Sequence, residues 1–470
     1  MKKTPIEKQS ALLSHVRFDL RMKYLSIRSI ELFKEKYAEK KDLIKSNNGF
    51  ILDSLLELFI RSKEGIVIPY SDRELNKMFN ESISLLYNSQ NKIIKHGTNI
   101  ELFGLLFSLW EFEEQEDMFI KLFRYSFFFN FKNEIIDMSD LFLKKFGCQY
   151  DDFIKITILI VLVAIGGTYA SFYNYVSQIA NDWKTAFNNL QITSDEFFEN
   201  SLSLCPDIND VAFSVKVSHS FPFIKHKDKI YLPLPHAIVT ACTKSLLYRL
   251  TYKNDDLRRN VGKEVMENYV YSISDSSDVY DLVSREVFFN EKKRILSPDV
   301  LCFKGDELMA FECKLLTPAP GVRLLDSKSV DKLKEILIDD VCKLYKSLFL
   351  NYSTKDNNLP FVEKDNRFGT VLLLERTDFD HRSIMQAVAD KLNLSKEEKA
   401  FMAKHIRYDV LYSFERLTFC SGNAIEEMKY MMNNNKEYDF DISHKSSSKN
   451  YNHKEFLKFK KRVLDFKVKV

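Results

Sequence analysis

The sequence is poor in the residues that interrupt helices, with 12 glycines and 10 prolines among 470 residues. Because glycine and proline are the strongest helix breakers, their scarcity predicts long helices. A chain of this length exceeds one ordinary hydrophobic core, so two or three domains are expected. A strong net charge is also lacking, and the formal charge of +3 neither requires nor excludes a nucleic-acid partner.

Several sequence motifs that indicate a cofactor-binding or metal-binding site are missing. No pair of the seven cysteines has the CxxC spacing of zinc sites, and their odd number does not suggest a disulfide framework. Reduced thiols in a cytoplasmic protein are therefore expected. The motifs GxxxxGK[ST], GxGxxG and HExxH do not occur either. A P-loop ATPase, a dinucleotide-dependent enzyme and a zinc peptidase of the HExxH type therefore have no support.

A hydrophobic run long enough for a membrane span is absent as well. The longest apolar stretch, 156–167 (ITILIVLVAIGG), has 12 residues, whereas a span needs roughly twenty. A run of this length is more typical of a buried helix, so we expect no membrane association. The first residues, MKKTPIEKQSALL, contain basic side chains without an apolar region, which is not the pattern of a signal peptide.

The chain divides into three segments of different character. Residues 1–200 have helical periodicity throughout and no repeat of fixed length, which predicts an all-α N-terminal domain. From residue 201 to 435 short β-type runs alternate with amphipathic helices, which predicts a second, α/β domain. Residues 436–470 are expected to form a basic tail, since 444–470 contains nine Lys or Arg against two acids.

Within the second domain, residues 255–375 show a characteristic order of elements. A helix at 255–273 precedes three strand-like runs at 286–290, 299–303 and 308–314. An amphipathic helix at 330–350 and the apolar run TVLLLE (370–375) follow, and the latter is typical of a strand buried on both faces. The order α-β-β-β-α-β predicts an α/β core with a mixed sheet.

The most informative stretch is Ser297–Lys314, SPDVLCFKGDELMAFECK. Gly305-Asp306 is a two-residue turn signal, with glycine at the position that a type II′ turn requires. Folding about this turn pairs Lys304 with Glu307. The following residues of the two strands then pair one by one, and the last pair is Asp299 with Glu312. Directly opposed side chains lie roughly 4.5–5.5 Å apart between Cβ atoms, and like charges placed there are destabilising.

The meeting of two carboxylates suggests a chemical role. A bound divalent cation would remove the repulsion between Asp299 and Glu312, because hard cations bind carboxylate oxygens. The two-residue period of a strand places Lys314 on the face of Glu312 and turns Cys313 to the other face. A lysine beside a metal-binding carboxylate pair can orient a water molecule or stabilise charge on a phosphate.

Pro298-Asp299, followed after 13 residues by Glu312-Cys313-Lys314, resembles the PD-(D/E)xK nuclease superfamily, and the element order is similar to its core. The resemblance covers roughly residues 255–380, about a quarter of the chain. It implies a restriction-endonuclease-like core after an all-α domain, with Asp299 and Glu312 as metal ligands and Lys314 as the water-orienting or charge-stabilising residue. It also implies Mg²⁺ as the physiological ion, for which Mn²⁺ is expected to substitute.

The resemblance extends to other residues. A helix before the sheet in this family often carries a glutamate after a glycine, which makes Glu267 a candidate third metal ligand, with Glu264 as the rival. The helix after the lysine often carries a polar residue, and Lys343 is in the corresponding region, although a lysine on the solvated face of a helix needs no such role. In the connection 315–328, Arg323 is a candidate phosphate contact, and a plain surface loop is the equal alternative.

Together these patterns predict a metal-dependent nuclease that hydrolyses phosphodiester bonds, with DNA as its expected substrate. Association with a defence or mobile-element system is a family-level analogy. The helical domain is expected to serve recognition, regulation, binding of a protein partner or homo-oligomer formation. The alternative is a catalytically silent nuclease-fold scaffold, or a nucleic-acid-binding subunit of a larger complex.

Overall fold

The computed structural model describes residues 3–37, 48–95, 117–166, 169–212, 216–316, 327–375, 379–433 and 451–465. Within these ranges the chain is mixed α/β and folds into two compact units. Unit 1 comprises residues 1–115 and 138–252, and unit 2 comprises residues 116–137 and 253–470. Arg323 lies outside the described residues, so its predicted phosphate contact stays a prediction.

The α-helices account for most of the described chain. In chain order they are α1 (Pro5–Leu13), α2 (Phe18–Tyr37), α3 (Asn48–Arg61), α4 (Asp72–Lys95), α5 (Met118–Asn130), α6 (Met138–Phe146), α7 (Tyr150–Gly166), α8 (Tyr169–Asp182), α9 (Lys184–Asn189), α10 (Ser194–Leu204), α11 (Ile238–Ala241), α12 (Lys244–Thr251), α13 (Asp255–Asn260), α14 (Glu267–Asp275), α15 (Ser327–Tyr345), α16 (His381–Leu392), α17 (Lys396–His405), α18 (Leu411–Phe419), α19 (Ala424–Asn433) and α20 (Lys454–Leu464). Two π-helical segments continue α13 and α15, at Val261–Met266 and Lys346–Leu350.

The β-strands are short. They are β1 (Gln191–Thr193), β2 (Phe223–His226), β3 (Lys229–Tyr231), β4 (Leu282–Arg285), β5 (Phe288–Asn290), β6 (Ile295–Leu296), β7 (Val300–Lys304), β8 (Glu307–Lys314), β9 (Arg367–Leu373) and β10 (Ile406–Val410). Single 3₁₀ turns occur at Ile208–Asp210, Val217–His219, Pro235–Ala237 and Lys364–Asn366.

Unit 1 is predominantly helical, which agrees with the predicted helical N-terminal region. Its core forms around α3, in which ten consecutive residues from Ile51 to Ile60 are buried. Helix α7 contains most of the apolar run 156–167, and the residues Ile156–Val161 are buried, as expected for a core helix. Among the described residues, every helix is too short or too polar to cross a lipid bilayer.

The boundary between the units differs from the boundary that the sequence suggested near residue 200. The β2–β3 hairpin and the segment around Val217 belong to unit 1, because Ile224 and Tyr231 share the core of α3 and Val217 donates its N–H to Glu57 Oε1 at 3.0 Å. Residues 116–137 belong to unit 2 although they lie within the predicted helical domain. Helix α5 is held there through a fully buried ion pair between Arg124 and Glu415.

The C-terminal segment, which the charge count favoured as a solvated tail, contains the folded helix α20. Phe456, Phe459 and Val463 are buried, and their spacing of three and four residues places them on one face of that helix. Phe456 stacks on Phe419 at a centroid distance of 4.7 Å. Because lysines occupy most positions between these apolar residues, the high local charge favoured a solvated tail over an amphipathic helix.

Unit 2 is built on a five-stranded mixed sheet in the order β10-β9-β8-β7-β4. Strands β4, β7 and β8 are antiparallel neighbours, whereas β8, β9 and β10 run parallel. Helix α15 connects β8 to β9 as a crossover, as parallel neighbours require. All seven residues of β9 are buried, which confirms the doubly buried strand that the sequence predicted at 370–375.

The first strand of the sheet is not where the sequence placed it. The run 286–290 was predicted to belong to the main sheet, but β4 at Leu282–Arg285 pairs with β7 instead. Strand β5 forms a separate two-stranded ribbon with β6. The alternation of side chains in this stretch does not distinguish the two pairings, which depend on long-range contacts.

Candidate functional site

The β7–β8 hairpin has the predicted register. Five pairs, from Lys304–Glu307 to Val300–Phe311, are those expected from the Gly305-Asp306 turn. Gly305 has φ of +58°, a conformation that glycine adopts without strain. Strand β8 continues beyond the last of these pairs alongside β9, so its end remains ordered up to Lys314.

Asp299 and Glu312 do not form the ladder pair that the sequence predicted, because the ladder ends at Val300–Phe311. Asp299 instead directs its carboxylate to the backbone of β8, where Oδ2 accepts the N–H of Cys313 at 2.7 Å. This contact satisfies a strand N–H and still brings the two carboxylates close enough for mutual repulsion. A side-chain hydrogen bond thus replaces the unfavourable direct pairing of two like charges.

The chain segment leading to Asp299 is fixed by Ser297. The Ser297 N–H donates to Val287 O at 2.8 Å, and the Val287 N–H donates to Ser297 Oγ at 3.0 Å. The Ser297 hydroxyl also donates to Pro298 O at 2.8 Å. These bonds link the residues before β7 to those after β4 and so fix the position from which Asp299 reaches β8.

Glu312 is almost fully buried and is bound by two lysines at the same oxygen. Lys314 Nζ lies 3.0 Å from Glu312 Oε1, and Lys343 Nζ lies 2.5 Å from that atom. Lys314 also contacts Asp340 Oδ1 of α15 at 3.2 Å. The contact between Glu312 and Lys314 confirms that they share one face of β8, as the two-residue period predicted.

The π-helical segment after α13 determines which glutamate joins this group. Glu267, the first residue of α14, is near enough to Asp299, Glu286 and Glu312 for their charges to raise its pKa. Glu264 instead accepts a hydrogen bond from Asn133 Nδ2 at 2.8 Å. Of the two candidates that the sequence left open, Glu267 is therefore the one placed among the acidic residues. A π-helical turn re-aims the residues that follow it, and such turns are common at functional sites.

The site contains more negative than positive charge. Five carboxylates influence one another here, and three ammonium groups lie near them. If all were ionised, two negative charges would be unbalanced. The carboxylates are those of Glu267, Glu286, Asp299, Glu312 and Asp340, and the ammonium groups are those of Lys263, Lys314 and Lys343. Burial, reinforced by Glu312, raises the pKa of Asp299 to about 7. Burial, followed by repulsion from Asp299 and Glu286, raises the pKa of Glu267 to about 9.

The surroundings of Lys314 favour its charged form, whereas those of Asp299 and Glu267 favour their neutral forms. Burial alone would lower the pKa of its ammonium group, but attraction by Glu312 and Asp340 outweighs burial and raises it. Lys314 therefore stays protonated at neutral pH. A permanently protonated lysine can stabilise negative charge or orient a water molecule, but it is a poor general base.

A cleft of about 510 Å³ adjoins the site and is lined in part by Glu312, Glu286 and Lys343. Its other charged lining residues are Arg294, Asp339, Lys346 and Lys391. Four cationic side chains thus line it against three acidic ones. Asp299, Glu267 and Lys314 are not among the residues that line this cleft, whereas Glu312 and Lys343 are.

Two residues of the site, Glu286 and Asp340, were not assigned from the sequence, whereas Lys343 was a candidate with a plain solvated lysine as its alternative. Glu286 lies between β4 and β5, and Asp340 and Lys343 lie on α15, three residues apart and hence on one face of the helix. The shared face was the available signal, but a solvated Asp–Lys pair would show the same spacing. Only the packing of α15 on the sheet brings this face to Glu312.

The donor atoms of this cluster fit a divalent cation. Mg²⁺ and related ions prefer carboxylate oxygens, and a cation would balance the negative charge that Asp299, Glu267 and Glu312 carry when they are ionised. Within the described parts of the chain, no three His, Cys, Asp or Glu side chains stand in an arrangement that could hold a metal ion as they are placed. Glu312 is instead engaged by Lys314 and Lys343.

The raised pKa values of Asp299 and Glu267 predict that the metal-free protein loses stability as the pH rises. In an unfolded chain these carboxyls titrate at about 4, whereas the folded chain retains their protons up to about 7 and about 9. Between these limits the folded state binds more protons, so its stability falls as the pH increases. We expect the melting temperature in a chelating buffer to fall between about pH 5 and pH 9.

Two glutamine substitutions provide the control for this pH dependence. Glu267→Gln should flatten the decline, because it removes the group with the largest raised pKa of this cluster. Glu264→Gln, three residues earlier, should leave the decline unchanged, since Glu264 contacts Asn133 instead. A decline of equal slope in both variants and the wild type would contradict the placement of Glu267 among the other carboxylates.

Comparison with known proteins adds no assignment to this geometry. No protein-family model, no curated protein and no solved structure matches the chain. What the site does must therefore be inferred from its own residues, their distances and their charges.

Proposed function

We propose that unit 2 is a divalent-metal-dependent nuclease that hydrolyses phosphodiester bonds, with DNA as its substrate. One observation carries this proposal: Asp299 and Glu312, from adjacent strands, are buried together beside a permanently protonated lysine. Buried like charges are costly unless a cation or a proton compensates them. A site of this composition suits a phosphodiester substrate, and the adjoining cleft is lined by four cationic and three acidic side chains.

Asp299 and Glu312 would hold the ion, with Glu267 as a third ligand. When bound, Mg²⁺ would supply Lewis-acid activation of a phosphate oxygen and of a water molecule. Glu267 and Asp299 would bind it in their ionised forms, so binding releases protons from groups whose pKa values are raised. The hydrogen bond from Cys313 N–H orients Asp299 before any ligand arrives.

Lys314 would stabilise the charge that develops on the phosphate during hydrolysis. Its ammonium group is held between Glu312 and Asp340, at 3.0 and 3.2 Å, so its position is fixed by two carboxylates. A preorganised cation costs little reorganisation at the moment of reaction, which is why such groups have large effects on rate. Asp340 then acts as a positioning residue for Lys314.

The cationic side chains of the cleft support a nucleic-acid substrate. Arg294, Lys346 and Lys391 line it together with Lys343, and lysine and arginine provide most phosphate contacts in protein–nucleic-acid complexes. When the separate β5–β6 ribbon is left aside, the elements around the main sheet follow one another as α-β-β-β-α-β. That order is compatible with the PD-(D/E)xK resemblance and supports the proposal. By the same analogy we propose a role in defence or on a mobile element, with unit 1 for recognition, regulation or assembly.

One observation favours the alternative of a catalytically silent nucleic-acid-binding module. Glu312 is neutralised by Lys314 and Lys343 without any metal ion. A network of this kind is stable as an ion-pair cluster and requires no catalytic role. The intact set of Asp299, Glu312 and Lys314 is the counter-argument, since a silent module has no need of all three.

Incubation of the full-length protein with plasmid DNA, linear duplex DNA, single-stranded DNA and RNA distinguishes the two functions. We expect Mg²⁺- or Mn²⁺-dependent cleavage of DNA that a chelator abolishes. Binding of DNA without cleavage of any of the four substrates would favour the silent module. Cleavage that persists in the chelator would contradict the proposed metal dependence.

A further inference from the structure

The two lysines on Glu312 differ in their other partners. Lys314 is bound by Glu312 and Asp340. Lys343 forms an ion pair with Glu312, and no ion pair between it and a second carboxylate is seen among the described residues, although the charge of Asp299 also acts on it. One ammonium group is therefore fixed at two points, whereas the other is fixed at one.

The lysines differ in exposure as well. The side chain of Lys343 is 56% exposed and lines the cleft, whereas that of Lys314 is 27% exposed and does not. A lysine has a flexible four-carbon stem, and Lys314 still contacts Glu312 Oε1 when Lys343 leaves. Lys343 can therefore leave Glu312 at small cost, and the space into which it would turn is the cleft.

We propose that Lys343 is a displaceable cation that neutralises Glu312 until a divalent ion binds, and then contacts a phosphate of the strand in the cleft. This inference rests on the proposed function, because it requires Glu312 to be a metal ligand. It assigns Lys343 to substrate positioning and Lys314 to the reacting phosphate.

The exchange couples the two ligands thermodynamically. Because Lys343 and the ion compete for Glu312, Lys343 lowers the affinity for the ion in the absence of nucleic acid. A nucleic-acid phosphate that attracts Lys343 removes this competition and raises the affinity for the ion. By linkage, the ion must raise the affinity for nucleic acid by the same factor.

Calorimetric titration with Mn²⁺ tests this on the full-length protein without nucleic acid. Lys343→Met should bind the ion about tenfold more tightly than the wild type, since a charge-assisted hydrogen bond to a buried carboxylate no longer competes. Lys332→Met is the matched control: it also removes one lysine charge from α15, but Lys332 is exposed and does not line the cleft. Its affinity for Mn²⁺ should stay within about twofold of the wild type.

A second titration contains a non-cleavable phosphorothioate DNA oligonucleotide. The oligonucleotide should raise the Mn²⁺ affinity of the wild type and of Lys332→Met, but not that of Lys343→Met. Lys343→Gln should behave as Lys343→Met, which guards against an effect of the methionine side chain. Equal Mn²⁺ affinity of the wild type and Lys343→Met would overturn this inference and leave the proposed function standing. Failure of both proteins to bind Mn²⁺ would overturn the proposed function as well.

Discussion

Asp299→Asn and Lys314→Met are each expected to reduce Mg²⁺-dependent cleavage by at least about a hundredfold. Asparagine can still accept the hydrogen bond from Cys313 N–H, so Asp299→Asn removes the charge and retains the geometry. Lys314→Met retains the length of the side chain and removes the cation held between Glu312 and Asp340. Initial rates of DNA cleavage at saturating Mg²⁺ provide the measurement.

The controls for these variants lie in the same hairpin. Lys304→Met removes a lysine at the turn end of β7, where Lys304 pairs with Glu426 at the surface, and should leave the rate unchanged. Asp299→Asn should not destabilise the metal-free fold, because the pKa of Asp299 is already raised to about 7 and its proton is partly retained at neutral pH. Wild-type rates in both Asp299→Asn and Lys314→Met would contradict the assignment of the site.

Arg124→Met is expected to lower the free energy of unfolding of unit 2 by about 3–5 kcal/mol. Arg124 forms two contacts with Glu415, from Nε at 2.7 Å and from its terminal nitrogen at 2.5 Å, and both side chains are almost completely buried. Tyr269 donates a further hydrogen bond to Glu415 Oε1 at 2.7 Å. Loss of the guanidinium leaves a buried carboxylate without its charged partner, which is the costly case.

Chemical denaturation followed by circular dichroism measures this loss. The double variant Arg124→Met/Glu415→Leu should recover part of the stability, because removing both charges leaves no uncompensated one. Glu455→Gln, which breaks the exposed pair with Lys458 on α20, should change the free energy of unfolding by less than about 0.5 kcal/mol. If Arg124→Met lowered the free energy of unfolding as little as Glu455→Gln does, the buried pair would not be what holds α5 in unit 2.

The hairpin and the central strands could be predicted because local signals determine them. Gly305-Asp306 fixes the turn, and the turn together with the two-residue period fixes every pair of the β7–β8 ladder. The buried run at 370–375 was recognisable from its length and apolar composition. The end of the ladder before Asp299 could not be recognised from the sequence. It depends on the Asp299 side chain, which accepts the N–H of Cys313 in place of a backbone carbonyl.

The acidic partners of the site could be predicted only in part. The sequence favours a continuous α-helix over 255–273 and leaves Glu264 and Glu267 as alternatives. The π-helical segment Val261–Met266, which contains Glu264 and directly precedes Glu267, is not encoded by a local signal. Its packing includes an approach of Gly262 to Leu315, where a Cβ atom would lie 3.4 Å from the leucine Cβ. Asp340 likewise becomes part of the site only through the packing of α15 on the sheet.

The domain boundary was harder to predict than the site. The β2–β3 hairpin resembles the start of an α/β domain, but its side chains are buried in the helical core of unit 1. Helix α5 looks like one more helix of the N-terminal region, yet its buried Arg124 pairs with a residue almost three hundred positions later. Long-range charge pairing of this kind has no signature in a single sequence.

Anomalous diffraction from crystals of the protein grown with Mn²⁺ shows whether Asp299 and Glu312 bind a divalent ion. We expect an anomalous peak about 2.0–2.2 Å from carboxylate oxygens of Asp299 and Glu312, with Lys343 turned away from Glu312. The contrary result is a map without a peak at these residues at saturating Mn²⁺, with both lysines still on Glu312. In that case the cluster would be an ion-pair network, and Asp299 and Glu312 would not be metal ligands.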